Sequence, residues 1–202
     1  MKVGPKYKIA RRLGAQVFEK TQGKKYAIRE SNKTASKGAG RPKTDFAVQR
    51  LEKQKVRFTY VVSERQFKNY INEVLKAASA KPEEKLWSLL ESRLDNAVLR
   101  GGLAHTRFLA RQLVSHGHIT LNGVKTDVPS CRVKKGDVIA VRDGSKDKAP
   151  FQNLVEKTKD TTIPAWLKLD PEKKLMNVVA APAYNPVEVP FSLTSVLEYY
   201  KR

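Results

Sequence analysis

The stretch Glu91–Val141, ESRLDNAVLRGGLAHTRFLARQLVSHGHITLNGVKTDVPSCRVKKGDVIAV, decides how this chain is read. Trp87, Leu90, Leu94, Ala97 and Val98 recur at helical spacing and predict one helix over 83–100. Gly101-Gly102 ends it, since glycine accepts the left-handed conformation of a helix C-terminus. Thr106 then caps a second helix, Arg107–Ser115. On that helix Leu109 and Leu113 share one face, and Arg107, Arg111 and Ser115 share the opposite one. Gly117 stops it. The runs His118–Leu121 and Val124–Thr126 flank Asn122-Gly123, a strong hairpin signal because both positions accept positive φ. Val138–Val141 is a further strand behind a Lys134–Asp137 turn. The segment therefore reads as two helices packed on a short-stranded sheet.

Working outward, Thr44-Asp45 opens a helical run, DFAVQRLEKQKVRFTY. Ser63 and Gln66 form a capping-box pattern ahead of Phe67, Tyr70, Ile71, Val74 and Leu75, an amphipathic helix that Ala80-Lys81-Pro82 breaks. Residues 143–160 read as polar loop with a short helix near Phe151–Lys157. Ile163–Leu167 is a compact apolar knot, and Pro190–Arg202 returns to a helical pattern through Leu193, Val196, Leu197 and Tyr200. No internal repeat is visible.

Composition points to a polyanion. The 202 residues carry a formal net charge of +20. Residues 1–60 alone hold eleven lysines and six arginines against four acids, a net of +13. Such crowding opposes compaction in isolation, whereas a nucleic acid relieves it and gains counterion-release entropy. The basic stretch has no sustained Trp/Phe/Leu face for a membrane surface, and no apolar run reaches the ~20 residues that span a bilayer. The stretch 20–43, rich in Gly, Ser and Lys, offers few core residues beyond Tyr26 and Ile28, so that part of the arm is expected to lack structure of its own.

Among the chemical constellations, the Arg107–Ser115 helix is the sharpest. Two arginines one turn apart, beside Gln112, Ser115, His116 and His118, suit phosphate oxygens and 2′-hydroxyls, because the planar guanidinium binds two oxygens at once. A solvated helix face is the bland alternative, and the overall charge favours RNA. Glu52–Arg57, with Lys53 and Lys55, is a second patch for phosphates. His116 and His118 with His105 and Cys131 fall short of a zinc site, since no Cys-x-x-Cys exists. Cys131 lacks a specified base, Asp95 and Asp127 lack a paired acid, and no phosphate-binding GxxxxGK[ST] loop occurs, so no enzyme is expected. Trp87 and Trp166 lie on apolar stripes, which makes core packing their default.

The segment Glu91–Val141 resembles the RNA-binding module of the ribosomal S-four family. The matching residues are Arg93–Asn96, Thr106-Arg107, Ala110–Val114, His116–Ile119, Asn122-Gly123, Val128–Ser130, Arg132-Val133 and Gly136-Asp137. Some pseudouridine synthases, a bacterial tyrosyl-tRNA synthetase and a heat-shock protein share that module. The flanks Lys8–Gly14, Leu51–Lys55, Tyr60, Glu64–Phe67, Pro164–Leu167 and Glu198–Arg202 are similar to the bacterial-type S-four family itself, so the resemblance covers nearly the whole chain.

The resemblance implies a structural constituent of the small ribosomal subunit, a primary binder of small-subunit rRNA that nucleates 5′-domain assembly. It further implies contact with proteins S-five and S-three, and with mRNA at its entrance, bearing on translational accuracy. It places Arg93, Thr106, Arg107, Arg111, Gln112, His116, His118 and Arg132 on the RNA face, with Lys8, Arg11, Arg12, Lys53 and Lys55 near RNA in the other half. Arg50, Ser115, Asn122 and Lys135 complete the candidate RNA-binding set. A cytoplasmic subunit is expected, with an organellar origin left open. No cofactor, metal, membrane or small-molecule substrate is expected.

The chain departs from the family in four places, one of them the irregular Ala77–Glu84 connection. It lacks the four N-terminal cysteines with which many members bind zinc, so its arm is expected to order on RNA. Cys131 stands where an aromatic is usual, and residues 20–43 diverge. The alternative function is a free RNA-binding chaperone or an RNA-modifying accessory factor carrying the same module. The expected fold is α+β. A basic arm (1–44) precedes a helical domain (45–90) completed by 176–202, then the RNA-binding module (91–155) and a connecting segment (156–175).

Overall fold

The computed structural model describes residues 3–34, 44–77, 79–158, 162–186 and 189–201. Parts of the expected arm (35–43), the end of the polar loop (159–161) and the terminal Arg202 lie outside them. The helices are α1 (Lys6–Leu13), α2 (Lys24–Thr34), α3 (Asp45–Thr59), α4 (Glu64–Lys76), α5 (Pro82–Glu91), α6 (Leu94–Arg100), α7 (Arg107–Ser115), α8 (Leu154–Thr158) and α9 (Leu193–Lys201). The strands are β1 (Ile119–Leu121), β2 (Val124–Lys125), β3 (Val138–Val141), β4 (Leu167–Asp170) and β5 (Leu175–Val178). The class is α+β, as expected. The chain forms two compact units, 1–86 with 185–202, and 87–184. No helix among the described residues is long and apolar enough to cross a membrane.

The first unit is helical. Thr44 and Ser63 cap α3 and α4 by accepting from the amides of Ala47 and Gln66. Pro82 sits at the first position of α5, where its missing N–H costs nothing. The helix α9 packs along α3, burying Leu193, Val196 and Leu197. The arm is folded over residues 3–34, which corrects the expectation for 20–34, where α2 lies. Tyr26 is buried, but Ile28 is 61% exposed, and the core comes from Ala10, Leu13, Val17 and Phe18 instead. Gly14, at φ +107°, turns the chain out of α1 so that the Phe18 ring meets the edge of Phe58, 6.2 Å away. Two short apolar pairs separated by a turn bury well yet carry no periodic signal.

The second unit is built on the five-stranded antiparallel sheet β2-β1-β3-β5-β4. Asn122 and Gly123 take φ +52° and +80°, the expected two-residue hairpin, with Leu121 opposite Val124. Alternate residues of β3 and β5, among them Ile139, Val141, Met176 and Val178, enter one core with Leu94, Val98, Leu113, Val114, Phe151 and Trp166. Trp87 is also buried, its indole N–H donating to the Ala183 carbonyl at 3.0 Å.

Three further expectations are corrected here. Residues 156–175 are not a mere connector, because β4 lies within them. Residues 176–184 do not complete the helical domain, because β5 pairs with β3 and β4. The turn between them is tied by Asp170, whose carboxylate accepts the Lys173 amide at 3.1 Å. Nor is 83–100 a single helix. It breaks at Ser92-Arg93, where Arg93 is extended and bridges Arg132. The Pro129–Val133 segment supplies the reason: carbonyls of Cys131 and Pro129 accept the amides of Leu94 and Asp95, and Val133 donates to Ser92. The first amides of α6 are thus satisfied by another part of the backbone, which leaves helical spacing in the sequence intact while interrupting the helix.

Candidate nucleic-acid interface

The cationic face of the second unit is organised by α6 and α7. Thr106 caps α7, its hydroxyl accepting from the Leu109 amide at 3.1 Å, and so fixes where the helix begins. Leu113 then faces the core, while Gln112, Ser115 and His116 are exposed. Arg107 donates from Nε to Asn96 Oδ1 at 3.3 Å, and Arg111 from Nη1 to Asp95 Oδ2 at 3.4 Å. Both arginines are thus held from below by the first turn of α6.

That turn, together with the end of α5 and the break before it, is unusually polar for a buried segment. Glu91, Arg93, Asp95 and Asn96 all lie in the interior. Arg93 donates from Nε to Asp95 Oδ1 at 2.9 Å and from Nη2 to Oδ2 at 2.6 Å. Glu91 accepts two bonds from Arg100, at 2.9 and 3.1 Å, and a third from Asn96 Nδ2 at 2.9 Å. Such charges persist in the interior because they are matched and hydrogen-bonded.

The candidate residues therefore separate. Arg93 is corrected: its side chain is fully buried on Asp95 and offers no surface to RNA. Arg132 is exposed beside it on the bridging segment. His118 is half-buried, its Nδ1 2.9 Å from the hydroxyl of buried Ser145 and its ring edge-on to Phe151. Burial first, then Lys148, His116 and Arg142, lowers its pKa, which favours a neutral imidazole. Asn122 spends its amide on the fold, bonding Asp137 and the Val138 N–H. Lys135 is exposed on the Lys134–Asp137 turn, which Asp137 closes by accepting the Lys134 amide. Asn122 is thus bonded to Asp137, and Lys135 lies on the turn that Asp137 closes.

In the first unit Lys8 and Arg12 are exposed one turn apart on α1, bordering a hollow of about 370 Å³ that Phe58 and Ile9 also line. Arg11 pairs with Glu30 at 3.2 Å, Arg50 is exposed, and Lys55 pairs with Glu52. Lys53 is corrected: it is buried, 2.9 Å from Glu64 and 4.6 Å from the centre of the Tyr199 ring. Its role is to join α3 to α4 and α9.

Sequence reasoning missed Arg100 and the organisers Glu91, Asp95 and Asn96. The run of buried polar residues inside an apolar helical stripe was the available signal. Among the described residues no three His, Cys, Asp or Glu side chains gather as for a metal ion.

Residues 2–91 match the family described as Ribosomal protein S4/S9 N-terminal domain, and residues 92–139 match the S4 domain. The chain is 42% identical over 205 aligned residues to the small ribosomal subunit protein uS4 of Mycobacterium marinum. It is 40% identical to the proteins of that name from Mycobacterium avium and Mycobacterium leprae. Each alignment covers 98% of this chain and 98% of the relative.

Proposed function

The chain belongs to the uS4 family of small ribosomal subunit proteins, and we propose that it is a primary rRNA-binding protein of the 5′ domain. The family is one of structural constituents rather than enzymes. The observation that carries the finer reading is the arginine face of α6 and α7, where Arg107 and Arg111 are tethered side by side to one buried polar turn. A fixed row of guanidinium groups suits RNA read by backbone shape and 2′-hydroxyl rather than by base edge. On this reading Thr106, Gln112, Ser115, His116 and Arg132 border the RNA, Lys135 joins them from the neighbouring turn, and Lys8, Arg12 and Arg50 add phosphate contacts from the first unit. Arg11 and Lys55 contribute charge that Glu30 and Glu52 partly offset. Contact with proteins S-five and S-three, a place at the mRNA entrance and a cytoplasmic location follow from the family resemblance.

The test is binding to a transcript of the small-subunit rRNA 5′ domain across a salt series, with tRNA as competitor. Specific binding that survives the competitor, with a steep salt slope, is expected. Equal affinity for tRNA would overturn the reading and favour a chaperone or accessory factor.

A further inference from the structure

Two acids lie directly beneath the arginine face of a protein that carries +20 overall. Glu91 and Asp95 expose only 2% and 7% of their side chains. As charges they oppose RNA, so their presence there asks for another reason.

The bonding supplies it. A carboxylate only accepts hydrogen bonds, so Glu91 Oε2 fixes which end of the Asn96 side chain faces it: Nδ2 donates to Glu91, and Oδ1 is turned toward Arg107 Nε. The same carboxylate grips Arg100 through both Nε and Nη2. Asp95, already doubly bonded to buried Arg93, reaches Arg111 with its Oδ2. Arg93 anchors this carboxylate, and the carboxylate anchors Arg111. Three arginines from two helices are thereby tied to one buried segment, Glu91 at the end of α5 and Asp95-Asn96 in the first turn of α6.

We propose that Glu91, Asp95 and Asn96 are positioning residues that preset Arg100, Arg107 and Arg111 as one ordered cationic row for the RNA backbone. This rests on the rRNA-binding reading above and deepens it, adding Arg100 to the interface. Long side chains held in place before binding lose less freedom on binding; each one ordered in advance is worth a factor of roughly 2 to 10 in affinity.

Bulk charge and positioning predict opposite signs, which makes the idea testable. Glu91→Gln makes the protein more basic, so charge alone predicts tighter RNA binding. Positioning predicts that affinity for the 5′-domain transcript falls about tenfold, while tRNA binding is unchanged or tighter. Asn96→Ala leaves the charge untouched and should weaken the transcript complex by a similar factor, with the salt slope preserved. In an Arg107→Ala background the Asn96→Ala effect should largely vanish, because its target is gone. Tighter transcript binding by Glu91→Gln, or an Asn96→Ala loss undiminished in the Arg107→Ala background, would overturn the proposal while leaving rRNA binding intact. A fall in transcript and tRNA binding alike would mean the turn only supports folding, which also refutes it. Wild-type protein that fails to prefer the transcript over tRNA would instead remove the functional reading beneath it.

Discussion

The Tyr200 hydroxyl donates to Glu64 Oε1 at 2.7 Å, joining α9 to α4 across 136 residues of sequence. Lys53 donates to the same oxygen at 2.9 Å, and Gln49 Nε2 donates to Glu198 at 3.0 Å. Tyr199 stacks on Phe46 at 5.5 Å. The C-terminal run Glu198-Tyr199-Tyr200 is thus a clasp on α3 and α4.

This clasp makes stability depend on pH at both ends. Burial first, then the bond to Glu64, raises the pKa of Tyr200. A raised pKa means its contribution is full below the unfolded value of about 10 and is lost as pH climbs above it. Burial works upward on Glu64 too, but the bonds from Tyr200 and Lys53 and the Arg57 charge outweigh it, so its pKa is lowered. Its contribution is present above the unfolded value of about 4.3 and is lost as pH falls through the folded one. Tyr200→Phe should cost about 1 kcal/mol at neutral pH, discounted for the partial exposure of Glu64. Urea melts from pH 5 to 11 should converge for the two proteins at the alkaline end. A constant gap throughout would contradict this.

Arg93→Ala should act on stability first. It strips Asp95 of its two shortest bonds and leaves a nearly buried carboxylate with Arg111 alone, at a cost of about 3–5 kcal/mol. Denaturant unfolding measures it. A loss under ~1 kcal/mol would mean that the pair is solvated.

Arg107→Gln together with Arg111→Gln should weaken binding to the 5′-domain transcript and reduce the salt slope by about 2, one unit per lost phosphate contact. Glutamine is preferred to a charge reversal at 111, which would set a second carboxylate against Asp95. An unchanged slope would move the phosphate contacts elsewhere.

Gly101→Ala should destabilise the second unit by about 1–3 kcal/mol, since a Cβ there overlaps the sulfur of fully buried Met176. The cost should shrink when Met176→Ala is already present. Thermal melts of the four proteins close the cycle, and an equal cost in both backgrounds would rule out that contact as the cause. Gly102, at φ +80°, ends α6, so the two adjacent glycines answer different demands.

The arginines of α7 were legible in the sequence because helical periodicity puts them opposite Leu109 and Leu113. The burial of Arg93 and Lys53 was not, since Arg93 was placed on the RNA face by the family resemblance and Lys53 read as a member of the Glu52–Arg57 patch. The fold removes both from the surface by bringing Asp95 and Glu64 within 3 Å. The strand pair β4–β5 was missed for a related reason. Its four-residue runs carry no hairpin signal between them, and they become strands by pairing, β5 with β3 and β4 with β5 at the sheet edge.

The sequence by itself determined the family, the α+β class, the caps at Thr44, Ser63 and Thr106, the Asn122-Gly123 hairpin and the excess of positive charge. The caps and the hairpin depend on residue type and on neighbours a turn or less away, and the family, the class and the charge on motifs and composition that need no long-range contact. The tertiary structure alone decided where α6 breaks from α5, which cations remain at the surface, and which acids hold them. Those depend on contacts that only the fold brings about, whether the partner is two residues away, as Asp95 is from Arg93, or in the 129–133 segment that meets α6, because a buried charge is tolerable only where the folded chain delivers its partner.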